Sequence, residues 1–187
     1  MVSARRPPAR AVAERVVDPE LPMLTLADLG VLRDVAEAPD GSVTVALTPT
    51  YSGCPAMAEM RAGVVRSLRE AGYADVRVTT VLDPPWSSDW ISAEGRRKLA
   101  EHGVSPPGPA SHGSASRGAG SRGAGSREAA ARRGPVPLVL GAVREALTCP
   151  NCGSRDTEET SRFSSTVCKA LWRCRSCSEP FEHVKEI

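Results

Sequence analysis

Apolar positions recur with two different periods along the first half of the chain, and each period predicts a different kind of element. Within residues 54–72, Met57, Met60, Val64 and Leu68 fall three or four apart, one stripe of an amphipathic helix. Pro55 suits its first position and Gly72 its C-terminal cap. VLRDV (31–35) and SVTVAL (42–47) roughly alternate apolar and polar, as half-buried strands do. The turn chemistry of APDG (38–41) joins them as a hairpin. VRVTTVL (76–82) reads as a further strand. SAEGRRKLAEHG (92–103) reads as a helix started by Ser92 and stopped by Gly103. A short helix over 8–17, ending before Asp18-Pro19, and one helical turn over TLADLG (25–30), closed by Gly30, come first. The predicted class is α+β: a small α/β sandwich, α-β-β-α-β-α, over residues 8–104.

The pattern stops at residue 105. Residues 105–136 are Gly, Ser, Ala, Pro and Arg with almost nothing to bury, which predicts a disordered linker to a second module over 145–187. The repeat GAGSR, at 118–122 and 123–127, spells G-x-G-x-x-G through Gly118, Gly120 and Gly123. That motif binds a dinucleotide only between a strand and a helix, and a polar Ser/Pro-rich stretch precedes it, so the match fails. Charge follows the same division. Residues 105–135 carry five Arg and one Glu, a net +4 against +2 for the whole chain, leaving −2 for the rest. The basic pI is thus a linker property rather than a nucleic-acid-binding face. No apolar run is long enough to cross a bilayer, and none follows the Arg5-Arg6 pair as an export signal requires. The expected location is the cytoplasm.

Four cysteines carry the clearest chemistry. Cys149/Cys152 and Cys174/Cys177 form two C-x-x-C pairs with 21 residues between them. Two thiolates on one tight turn and two on another complete a tetrahedron, the plan of a zinc ribbon. Residues 157–163 and 170–173 between them suit paired strands. A redox C-x-x-C site needs one pair in a βαβ setting, and two pairs in a short tail do not supply it. A tail of this size also buries too little to fold unaided, whereas structural zinc contributes ~10–16 kcal/mol in zinc-finger peptides. Zinc is expected, with an all-cysteine iron site or iron–sulfur cluster as the alternative. Cys168 is either a spectator or an additional ligand. His183 is a weaker candidate ligand; His102 ends a helix and His112 sits in the linker.

The sixth cysteine, Cys54, stands apart in TPTYSGCP (48–55), after a strand and before the Pro that starts a helix. At a helix N-terminus the free amides and the dipole lower a thiol pKa, and Thr48, Thr50, Tyr51 and Ser52 add hydroxyls around Gly53. A free cysteine is as often a small buried hydrophobe, so the residues alone leave both readings open. DPELP (18–22) offers Asp18 and Glu20 in a loop fixed by two prolines, which by itself reads as a polar connection. Trp86 and Trp90 in DPPWSSDW (83–90) read as packing over a sheet edge or, alternatively, as a partner-binding patch.

Taken together, DPELPMLTLADLG, LTPTYSGCPAM, DPPWSSDWIS and the tail from CPNCGS to FEHVKEI resemble the phenylacetyl-CoA oxygenase (epoxidase) subunit family usually called PaaD or PaaJ. The first half also resembles the wider iron–sulfur assembly family that includes SufT-type proteins. The resemblance implies an accessory protein without a catalytic centre of its own. It would assist delivery of iron or an iron–sulfur cluster to a multicomponent oxygenase of phenylacetate degradation. It implies Cys54 as the functional thiol, with Asp18, Glu20, Thr48, Thr50 and Gly53 as the supporting loops. It implies Cys149, Cys152, Cys174 and Cys177 as metal ligands, with Cys168 a fifth tail cysteine. The implied partners are other oxygenase subunits and iron–sulfur assembly proteins, with neither nucleic acid nor membrane; the choice between monomer and homodimer stays open. Two rivals stand beside it. A zinc-ribbon nucleic-acid-binding or transcription protein is disfavoured by six Lys/Arg against six Asp/Glu in residues 149–187. A Cys54-dependent thiol enzyme is disfavoured by the lack of a paired base.

Overall fold

The computed structural model describes residues 6–108 and 147–186. The mixed α/β architecture follows the hydrophobic pattern. α1 (Ala9–Ala13) is shorter than expected. β1 (Leu32–Glu37) and β2 (Val43–Leu47) form the antiparallel hairpin, and β3 (Val76–Thr80) joins β2 in parallel, giving the order β1-β2-β3. A parallel pair needs a crossover, and α2 (Met57–Glu70) supplies it, burying Met60, Gly63, Val64 and Leu68. These pack with Val43, Val45 and Leu47 of β2, the strand placed centrally by its alternating pattern. α3 (Ala93–Glu101) begins at Ser92, whose hydroxyl accepts the Gly95 amide at 2.9 Å as an N-cap does.

The loop before β1 is held by its own side chains. Asp28 and Thr25 exchange bonds of 3.1 and 3.0 Å, and Lys98 of α3 reaches Asp28 at 2.8 Å. Gly30 closes this loop at φ +70°, and a Cβ there would lie 2.5 Å from the Trp90 Cβ, so only glycine fits. The two tryptophans divide. Trp86 is buried and donates to the Leu29 carbonyl at 2.9 Å, while Trp90 lies under the Arg33 guanidinium at 3.6 Å. Packing, rather than a shared patch, accounts for both.

The tail folds as a three-stranded ribbon. β5 (Thr157–Ser161), β6 (Lys169–Cys174) and β7 (Pro180–Val184) pair antiparallel, where the sequence pattern predicts the first two strands and not the third. Residues 109–136 of the expected linker lie outside the described residues. Ser105, its first residue, belongs instead to β4 (Val104–Ser105), which pairs in parallel with β7 and extends the ribbon to four strands, β4-β7-β6-β5. His183 bonds the Ser105 carbonyl through Nδ1 at 3.1 Å, and Val184 is buried in the core of the first module. The ribbon is therefore seated on the α/β sandwich. No helix among the described residues is long and apolar enough to cross a membrane.

Candidate metal centre and the Cys54 cleft

Two sites emerge, at opposite ends of the ribbon. At the first, Cys149, Cys152, Cys174 and Cys177 bring their sulfurs within 4.8 Å of one another. Cys149 and Cys177 are 3.8 Å apart, and Cys152 and Cys174 3.6 Å. Sulfurs placed ~2.3 Å from a central zinc at the corners of a tetrahedron are separated by about 3.8 Å, so the donor set fits that ion. Four thiols this close repel one another once they ionise. The Ser154 amide pulls the Cys152 thiol down, but neighbouring Cys177 and Cys174 outweigh it and push it up to about 12. The amides of Cys177 and Ser176 hold Cys174 down at about 6. A bound divalent cation removes this conflict by neutralising the thiolates. The core beneath is small: Cys149, Ala170, Trp172, Cys174 and Phe181. His183 takes no part in the cluster. Burial lowers its pKa, and its ring meets Trp172 edge-on, 6.2 Å between centroids.

The fifth tail cysteine is not a ligand of this centre. Cys168 precedes β6, whose other end carries Cys174, so the strand's length separates it from the four. It lines the second site, a cleft whose walls are mostly apolar (Leu21, Leu29, Met60, Trp86, Val184) and whose polar groups are Asp18, Glu20, Thr50 and Cys54. Residues far apart in sequence therefore converge where ribbon and sandwich meet. The cleft leaves about 20 Å³ for the centre of a water-sized particle, room for one water or one ion.

Cys54 reaches the cleft from the loop between β2 and α2. Thr48 anchors the start of that loop, its buried amide donating to Val31 O at 2.9 Å while its hydroxyl finds no partner among the described residues. The Cys54 amide donates to Tyr51 O at 3.2 Å, and the Cys54 carbonyl accepts the Met57 amide at 3.4 Å. Gly53 keeps the turn against the Tyr51 ring, 3.1 Å from where a Cβ would stand. On the facing side Asp18 is buried, and its Oδ1 accepts the amides of Glu20 and Leu21, each at 2.8 Å. DPELP is thus a structured wall rather than a plain connection.

The expected lowering of the Cys54 pKa does not occur. Burial pushes the thiol up, the Ala56 amide pulls it down, and the charges of Glu20, Cys168 and Asp18 push it up again. The reason is geometric: α2 starts at Met57, so Cys54 stands outside the first turn and collects one amide rather than a dipole end. Asp18 is raised by burial, and Glu20 by burial and by Asp18. Burial and mutual repulsion thus oppose placing negative charge on all three groups together, and a cation bound among them would relieve that repulsion.

Two separate stretches of the chain match known families. Residues 134–185 match the PaaD zinc beta ribbon domain, and residues 9–81 match the iron-sulfur cluster assembly protein family. A protein of Escherichia coli (strain K12) named as a 1,2-phenylacetyl-CoA epoxidase subunit is 35% identical over 175 residues, 94% of this chain and 89% of its own length. An Fe-S protein maturation auxiliary factor of Porphyromonas gingivalis is 36% identical over 86 residues, 45% of this chain and 80% of its own. An iron-sulfur cluster carrier protein of Mycobacterium tuberculosis is 35% identical over 91 residues, 48% of this chain but 22% of its own. Among solved structures, a DUF59 domain of unknown function from Bacillus anthracis is 28% identical, with a TM-score of 0.45 over 49% of this chain and 87% of its own.

Proposed function

Because this chain belongs to the PaaD family of 1,2-phenylacetyl-CoA epoxidase subunits, we propose that it is a maturation protein which carries iron on Cys54 to the metal-dependent components of that epoxidase system. Iron is here a cargo, distinct from the zinc that holds the tail together. The observation that carries this reading is the Cys54 cleft: a soft donor facing acidic residues in a space for one ion. An incoming cation displaces the thiol proton and is held by the field of Asp18 and Glu20. A site with few donors releases its ion more readily than the four-thiolate cluster, which suits transfer rather than storage. The partners under this reading are the epoxidase subunits and iron–sulfur assembly proteins.

The same features weigh against a thiol enzyme. A nucleophile needs a thiolate, and here the thiol is pushed toward its protonated form. Neither described histidine, His102 or His183, lines the cleft.

The test is Cys54→Ser in the native host, with growth on phenylacetate and the iron content of the purified epoxidase components as readouts. Growth and iron content are expected to fall while the variant keeps its zinc and its melting temperature. Full growth with normal iron content would overturn the assignment.

A further inference from the structure

We infer that Cys168 of the ribbon is the second thiol ligand of the Cys54 site, so that a divalent first-row cation is held between the two modules by one sulfur from each, with Asp18 and Glu20 supplying oxygen. This rests on the Cys54 reading and adds to it a role for the ribbon. The tail does not merely dock; it completes the site.

Four observations lead there. Cys54 and Cys168 line one cleft although 113 intervening positions separate them in the sequence. Cys168 is positioned by the fold: its carbonyl accepts the Lys185 amide at 2.9 Å, tying it to the end of β7, and Thr166 Oγ1 lies 3.1 Å from its sulfur. The ribbon is fixed against the sandwich by the β4–β7 pairing and by Val184, which itself lines the cleft. Finally, Asp18 spends Oδ1 on the amides of Glu20 and Leu21, which fixes its carboxyl at the cleft wall. Lys169, whose charge reaches Asp18, Glu20 and Cys168, is engaged by Glu182 at 2.7 Å.

The donor types select the ligand. Two sulfurs alone favour the softest ions, and carboxylate oxygen shifts the preference to borderline divalent ions such as iron(II). The space admits one ion rather than a cluster. The donors are looser than the tail cysteines, the one group of metal-binding side chains among the described residues with all ligand atoms within 4.8 Å. Binding a divalent ion through both sulfurs releases up to two thiol protons to solvent.

Cobalt(II) is the probe, added anaerobically to full-length reduced protein already holding one zinc. Wild type is expected to take one further ion with near-ultraviolet sulfur-to-cobalt charge transfer from two thiolates. Cys168→Ser should keep its zinc, halve that intensity and weaken binding by about tenfold or more. Cys168→Ser binding cobalt like wild type would overturn the inference and leave the Cys54 reading standing; Cys54→Ser binding like wild type would overturn both, as would wild type taking no second ion. Should the Cys168 variant lose its zinc, alkylation of wild type decides the matter. Cobalt should protect Cys54 and Cys168 together, and protection of Cys54 alone contradicts the inference.

Discussion

A lysine and a glutamate set between the β6 and β7 strands of the ribbon give a measurable test of how the tail is held. Lys169 is buried, 4% exposed, and its ammonium lies 2.7 Å from Glu182 Oε2. The second glutamate oxygen receives the hydroxyls of Ser164 and Ser165. Burial alone would raise this carboxyl, but Lys169 and the two hydroxyls hold it down at about 2, against 4.5 unperturbed. That displacement corresponds to about 3 kcal/mol at neutral pH. The glutamate side chain is 26% accessible, and solvent screening together with the serine bonds reduces the share of Lys169 to about 2 kcal/mol. The sign follows from the direction. A depressed carboxyl stabilises the fold above its unfolded value near 4.5, and this is lost as pH falls toward 2. Between pH 5.5 and 8, above the unfolded carboxyl pKa, the contribution should be flat. Urea unfolding at fixed free zinc, read by zinc release, should therefore give a coupling of about 2 kcal/mol across Lys169→Met, Glu182→Gln and the double variant. A coupling below about 0.5 kcal/mol, or one that varies across that pH range, would refute the electrostatic account.

Other consequences are independent of this pair. Stripping zinc with a chelator should unfold the ribbon and change Trp172 emission while the helical circular dichroism of the sandwich persists, since the tail core is five residues. Gly30→Ala places a side chain at φ +70° and against Trp90, and should cost about 3 kcal/mol in denaturant unfolding. Trp86→Phe loses the bond to Leu29 O and should cost about 1 kcal/mol, read as a lower melting temperature. Asp18→Asn keeps an acceptor for the Glu20 and Leu21 amides. Because burial raises the native Asp18 pKa, the ionised carboxylate opposes folding above about 3.8. The variant should thus melt no lower than wild type at pH 7 yet bind cobalt more weakly in the cleft; a lower melting temperature would contradict it.

The sandwich is legible in the sequence because its signals are local. The stripe Met60, Val64, Leu68 and the alternation through β2 each need a window of a few residues, and Ser92 marks the start of α3. The zinc knuckles are legible for the same reason, two fixed spacings of cysteine. What escapes lies in pairings across the chain. β7 reads as polar and charged in FEHV because Glu182 and His183 find partners only once Lys169 and Ser105 are beside them. Nothing near Ser105 announces that it pairs with a strand 78 residues later. Cys168 looks like a spare in the sequence because its neighbours in space, Cys54 and Asp18, belong to the other module. The Cys54 thiol is raised first by burial, which the sequence does not show, and a helix that starts at Met57 rather than Pro55 leaves only the Ala56 amide to oppose it.

The central claim is that Cys54 hands iron to a client, and transfer measures it most directly. Full-length protein, zinc-bound and loaded with iron-57 under anaerobic conditions, is mixed with iron-depleted components of the phenylacetyl-CoA epoxidase system, and the label in each is followed after separation. The account predicts label moving to a client from wild type and little or none from Cys54→Ser, with zinc staying behind in both. Equal delivery by the variant, or zinc travelling with the iron, would contradict it.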